Sequence, residues 1–132
     1  MQTPSESKRQ AMQAQRQRDT APELALRREL HRRGLRYRVD HPVLSRRRAD
    51  VAFTKARVAV FVDGCFWHGC PEHGTWPRTN AEWWKSKIEA NRARDADTNE
   101  RLRAKGWMVV RVWEHEPARS GADRIALAVG ER

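Results

Sequence analysis

The chain is short of several things. It has two cysteines and one tyrosine in 132 residues, no apolar stretch near the length of a spanning helix, and no N-terminal hydrophobic segment of signal-peptide type. Two cysteines are too few for a disulfide-stapled secreted scaffold, and the missing apolar run excludes a transmembrane helix. The expectation is a soluble, cytoplasmic protein with no membrane partner. Acid is scarce too: 17 Asp and Glu stand against 27 Lys and Arg, a formal charge of +10. With a pI near 10.9, the surface field favours polyanions, nucleic acid first and acidic membranes second. No helical pattern joins an extended apolar face to a purely basic one, which demotes the membrane.

What the chain does have is concentrated. A length of 132 residues fits one domain that can bury roughly two thirds of its unfolded surface. Residues 1–18, rich in Gln, Arg and Ala, read as a basic arm able to order on a polyanion or as a disordered tail; residues 19–132 read as a single domain. Thr20-Ala21-Pro22-Glu23 has the form of a capping box that opens a helix, Leu24, Leu26 and Leu30 give it an apolar face, and Gly34 ends it. Three strands follow, Arg36 to Val39, Ala49 to Thr54 and Val58 to Val62. The last is apolar on both faces and is expected at the centre of the sheet. A second helix begins at Thr79-Asn80-Ala81-Glu82 and runs to about Lys105 before Gly106; Trp107 to Trp113 is a fourth strand, and a short helix covers about Ala122 to Val129. The order α-β-β-β-α-β-α predicts an α/β layer fold.

The chemistry gathers after the third strand. Cys65, Cys70 and His73 form a C-x4-C-x2-H cluster, and soft thiolates with imidazole at that spacing point to zinc. A disulfide between the two cysteines is the alternative. If His115 folds back as fourth ligand, the sphere is full and the metal structural, since a catalytic zinc keeps a position open; otherwise His115 is a solvated strand-end histidine. Asp50 follows Arg46-Arg47-Arg48 at the start of a strand. A carboxylate there can carry a hard cation to a phosphate, or be a plain loop aspartate. On the long helix Asp95 falls on the stripe of Ile88, Asn91 and Leu102, and a carboxylate on a buried stripe needs a partner. His68 would make that partnership a general acid/base pair; an arginine neighbour would make it structural. Phe66, Trp67 and Trp84 are either core or wedges that unstack base pairs, while Trp107 and Trp113 are expected in the core.

Taken together, Asp50, the run Phe61-Val62-Asp63-Gly64-Cys65-Phe66-Trp67-His68-Gly69-Cys70-Pro71-Glu72-His73, the segments Glu82 to Ile88 and Asn91 to Asp95, and Val112-Trp113-Glu114 closely resemble the very-short-patch repair endonucleases. The resemblance runs from about residue 7 to residue 116. It implies a restriction-endonuclease-like core, a mixed sheet flanked by helices with a structural zinc site at Cys65, Cys70, His73 and His115. It also implies a monomeric bacterial enzyme, cytoplasmic and nucleoid-associated during repair, that nicks double-stranded DNA 5′ of the mispaired thymine at T:G. Asp50 and the main-chain carbonyl of Val62 would hold magnesium, His68 would be the base oriented by Asp95, and Glu23 would add an acidic group of open role. Phe66, Trp67 and Trp84 would intercalate beside the mismatch. Two positions depart from the best-known member: His115 replaces a cysteine, and Asp63 replaces a histidine near the cleaved phosphate. The competing readings are a zinc-braced module that binds distorted duplex without cutting it, and a nuclease of the same fold with another DNA target.

Overall fold

The structure, a computed structural model, describes residues 19–64 and 80–131. The expected basic arm and the cluster residues Cys65, Phe66, Trp67, His68, Cys70 and His73 lie outside the described residues. Helix α1 is Ala21–Arg32, and strands β1, β2 and β3 are Arg38–Leu44, Arg47–Phe53 and Val58–Asp63. Helix α2 (Ala81–Ala104), strand β4 (Met108–Trp113) and helix α3 (Ala118–Gly130) complete the expected order.

The two glycine stops are formed as the sequence predicts. Gly34 (φ 80°) and Gly106 (φ 85°) take the left-handed conformation that a Cβ disfavours. Behind them, Leu35 N donates to Leu30 O at 3.1 Å and Trp107 N to Leu102 O at 2.9 Å, the hydrogen bonds that close a helix through a left-handed residue.

Three local expectations are corrected. The capping box at Thr20 does not form: Thr20 makes no side-chain cap. Instead Glu23 accepts the Asp19 N–H at 3.1 Å and pairs with Arg27. It stands with Leu26 and Leu30 on the buried stripe of α1, 3% exposed, because positions three and four apart share a helix face. Strand β1 runs on through His41 and Pro42 to Leu44, with a register shift between Pro42 and Leu44. It is an edge strand, where the missing N–H of proline breaks no ladder bond. Helix α3 starts about a turn earlier than Ala122 and contains Gly121, which looks like a breaker. A Cβ on Gly121 would lie 3.1 Å from Val112 Cγ1 and 3.3 Å from Leu26 Cδ1, so its absence lets α3 sit close on the sheet.

The sheet order is β1-β2-β3-β4. β1, β2 and β3 pair antiparallel, and β4 returns parallel to β3 after the α2 crossover. β3 is therefore internal, as its continuous apolar run predicts. Helices α1 and α3 cover one face over Leu26, Leu30, Val51, Val60, Val112 and Ile125. Helix α2 covers the other over Ala52, Ala59 and Leu102, with Phe61, Trp107 and Val109 packed against them. Trp107 and Trp113, expected in the core, are only partly buried: they lie at the two ends of β4, and Trp113 stacks on His115 (6.4 Å, 14°). This mixed α/β architecture fits a restriction-endonuclease-like core. No helix among the described residues is long and apolar enough to cross a membrane.

Candidate active site

The site lies where β2 and β3 part. Their registered pairs are Val51↔Val60, Ala52↔Ala59 and Phe53↔Val58. Just outside that ladder a side chain takes over from the backbone: Val62 N donates to Asp50 Oδ2 at 2.7 Å. Asp50 Oδ1 accepts no hydrogen bond among the described residues. Burial pushes the carboxyl up to about 7, opposed by the Val62 N–H and reinforced by the charges of Glu23 and Asp63, while Arg27 pulls it down. Asp50 and Val62 are thus brought together, and Glu23 shares their electrostatic neighbourhood.

On the α1 side the compensation is incomplete. Glu23 is met by Arg27 Nη2 at 2.5 Å, and Arg27 Nη1 is drawn to Asp19 at 2.7 Å. The buried Nε of Arg27 has no hydrogen-bond partner among the described residues.

On the α2 side the acids meet one guanidinium. Asp63, 6% exposed, faces Arg111 Nη1 through both oxygens at 2.9 and 3.2 Å. The same Nη1 lies 3.5 Å from Asp95 Oδ1. Parallel register sets Phe61 opposite Arg111, the Arg111 Cζ lies 4.4 Å over the Phe61 ring, and Nε donates to Asn99 Oδ1 at 2.8 Å. Asp95 is half-buried on the stripe predicted for it, between buried Ile88, Asn91 and Leu102. Its arginine is on the neighbouring strand, not on its own helix. Sequence reading missed Arg111, although a lone charge inside Met108-Val109-Val110-Arg111-Val112-Trp113 was a signal for it.

Basic side chains frame this edge. A cleft of about 220 Å³ is lined by Arg46, Arg47, Arg48, Arg94 and Arg111 together with Asn91 and Asp95. Arg47 Nη1 ties β2 to α2 through Asp97 Oδ2 (2.7 Å) and Thr98 Oγ1 (2.8 Å), and its hydrogen bond holds the Asp97 carboxyl below its ordinary value. A larger cavity of about 640 Å³ opens by Tyr37, Phe53 and Val129. It is the wrong place for hydrolysis, since no carboxylate or imidazole lines it.

The remaining candidates sit at the margins. Trp84 is 4% exposed and packs edge-on against Trp83 (4.5 Å, 86°), which is 39% exposed. His115 is exposed two residues beyond β4. Glu114 N donates to Asp63 O at 2.9 Å, so the parallel register carries His115 to the edge where the chain leaves β3 towards Cys65. Among the described residues no three His, Cys, Asp or Glu side chains gather to hold a metal ion.

Comparison with known proteins gives one answer. The family model described as DNA mismatch endonuclease Vsr matches residues 2–73. The type II nicking enzyme V.NaeI of Lentzea aerocolonigenes is 48% identical over 122 residues, covering 89% of this chain and 72% of that protein. The type II nicking enzyme V.XorIIP of Xanthomonas oryzae pv. oryzae is 42% identical over 119 residues, covering 89% and 86%. The DNA mismatch endonuclease Vsr of Escherichia coli is 39% identical over 101 residues, covering 74% and 62%.

Proposed function

The chain belongs to the Vsr family of DNA mismatch endonucleases and is a DNA-binding, DNA-nicking hydrolase; from that premise we propose that it cuts one strand 5′ of the mispaired thymine in T:G pairs left by 5-methylcytosine deamination, with magnesium. The observation that carries this reading is the Asp50 carboxylate held by Val62 N–H at 2.7 Å where two strands part.

The residues suit the cation. Magnesium is bound by one or two protein carboxylates and otherwise by water and phosphate, a donor set that Asp50 with a main-chain carbonyl suits. Asp50 has one oxygen fixed by Val62 and the other without a hydrogen bond among the described residues. Its burial beside other acids disfavours a bare carboxylate, which a divalent cation relieves. The Val62 main-chain carbonyl would be the second oxygen. Bound there, magnesium would act as a Lewis acid that absorbs charge on the scissile phosphate.

The chain's own groups do the rest. His68 takes the proton of the attacking water, and Asp95 fixes the tautomer of that imidazole and favours its charged form. The cleft-lining Arg46, Arg48 and Arg94 hold the DNA backbone by charge. Phe66, Trp67 and Trp84 unstack the mismatch, because a mispaired step costs less to open than a paired one. Trp84 is buried in the free protein, so its wedge role requires the start of α2 to open on DNA. The zinc role rests on the donor set: two thiolates and two imidazoles, at Cys65, Cys70, His73 and His115, would neutralise the ion and supply four ligands.

The test uses end-labelled duplexes that differ only in a T:G or T:A pair, with and without magnesium. A single nick 5′ of the mispaired thymine, absent with T:A and without the metal, is expected. Equal cutting of both duplexes would assign another DNA target, and selective binding without a nick would overturn the catalytic assignment. The same preparation should contain one zinc per chain by elemental analysis; none would remove the zinc site.

A further inference from the structure

Asp63 directly follows Val62, so a buried carboxylate stands beside the proposed magnesium position and invites assignment as a metal ligand. Its geometry gives it a different partner. Both oxygens face Arg111 Nη1, at 2.9 and 3.2 Å. Arg111 is itself immobilised, through Nε on Asn99 Oδ1 at 2.8 Å and through Cζ over the Phe61 ring at 4.4 Å. A guanidinium is a rigid planar fork, so fixing its Nε and its face also fixes its two Nη groups. Both Nη groups reach α2: Nη1, beside Asp63, lies 3.5 Å from Asp95 Oδ1, and Nη2 lies 3.5 Å from the Asp95 carbonyl.

We infer that Arg111 is a positioning residue, which keeps Asp63 out of the metal's coordination and sets Asp95 against the end of β3. The inference rests on the reading in which Asp95 orients the catalytic base. Asp63, Phe61 and Arg111 lie on one face of adjacent parallel strands, whereas Asp95 arrives on a helix. Arg111 is the group that converts the strand register into the position of a helical carboxylate. An error of about an ångström in an orienting residue costs on the order of a hundredfold in rate, so the effect belongs in kcat rather than in DNA binding.

The experiment compares four proteins on whichever duplex the wild type nicks, recording kcat, KM for DNA, the magnesium midpoint and the melting temperature. Asp63→Asn is expected to keep the wild-type magnesium midpoint within about twofold and kcat within about fivefold, since Arg111 remains on Asp95. Arg111→Met should lower kcat about a hundredfold with KM within about threefold. The double variant Arg111→Met with Asp63→Asn removes the stranded charge, so its melting temperature should recover while kcat stays about a hundredfold low. Full recovery of kcat in the double variant would reduce Arg111 to a counter-charge and overturn the inference. A tenfold shift in the magnesium midpoint for Asp63→Asn would make Asp63 a ligand and overturn it as well, as would a raised KM at unchanged kcat for Arg111→Met. A wild-type protein that nicks no duplex overturns the functional reading itself, a result separate from any of these.

Discussion

Two groups of buried acid flank the same strand end, and they are neutralised differently. On the α2 face, Asp63 and Asp95 share Arg111, which is braced by Asn99 and Phe61. On the α1 face, Glu23 and Asp19 divide Arg27 between them, and Asp50 is left with one backbone N–H and a carboxyl pushed up to about 7. The lesson is that burial alone does not mark a working group. Asp63, met through both oxygens by Arg111, is part of the scaffold, and Asp50, whose charge has less compensation, is the acid suited to the proposed cation.

The sharpest way to break that contrast is Asp50→Asn. Asparagine keeps an acceptor for the Val62 N–H but loses the charge, so nicking in magnesium should fall by at least about a thousandfold while binding to mismatched duplex persists. A variant that still nicks would remove Asp50 from the metal site.

The same substitution has an opposite effect on stability. The folded pKa of Asp50, about 7, lies above its ordinary value of 3.8, so the folded state binds more protons between these values. Stability attributable to this group is full below about pH 4, declines as pH rises, and levels off above pH 7. Asp50→Asn should therefore melt like wild type at pH 4 but be more stable without magnesium at pH 8, by roughly 2–4 kcal/mol. Equal melting at both pH values would show that the carboxylate is not strained.

Glu23→Gln should have a smaller effect. It removes a charge that raises Asp50, so the pH-dependent fall in stability should move to lower pH. It also leaves Arg27 with Asp19 as its remaining ion-pair partner, at a cost of about 1–2 kcal/mol across the range. Differential melting from pH 4 to pH 8 reads both effects, and an unmoved inflection would separate Glu23 from Asp50.

How much of this was legible beforehand depended on whether a feature is local. Gly34 and Gly106 end their helices as predicted because a left-handed stop is set by a few neighbouring residues. The internal place of β3 followed from an apolar run of five residues, Val58 to Val62. The run of β1 past Val39 is not legible because the fit of Pro42 in a strand depends on which strand is at the edge, and the earlier start of α3 is not because the role of Gly121 is set by Val112 and Leu26. Glu23 was taken for a cap because its charge hid its place on the buried stripe. Arg111 was missed because its meaning lies in a register that pairs residues about fifty positions apart.

That register also bears on the order of assembly. β1, β2 and β3 are joined by short turns, and such local contacts form ahead of distant ones, since closing a long loop costs more entropy. Val58 to Asp63, by contrast, must find Met108 to Trp113 across the whole of α2. Asp50 and Val62 should thus meet early in folding, and Arg111 should arrive with the last strand. Truncating Val51 to Ala should slow refolding, whereas Val112→Ala should mainly speed unfolding; equal effects on both rates would refute this order. The chain then holds the proposed cation site in part before Asp95 is set in place, and on that reading cutting DNA waits for the closing strand.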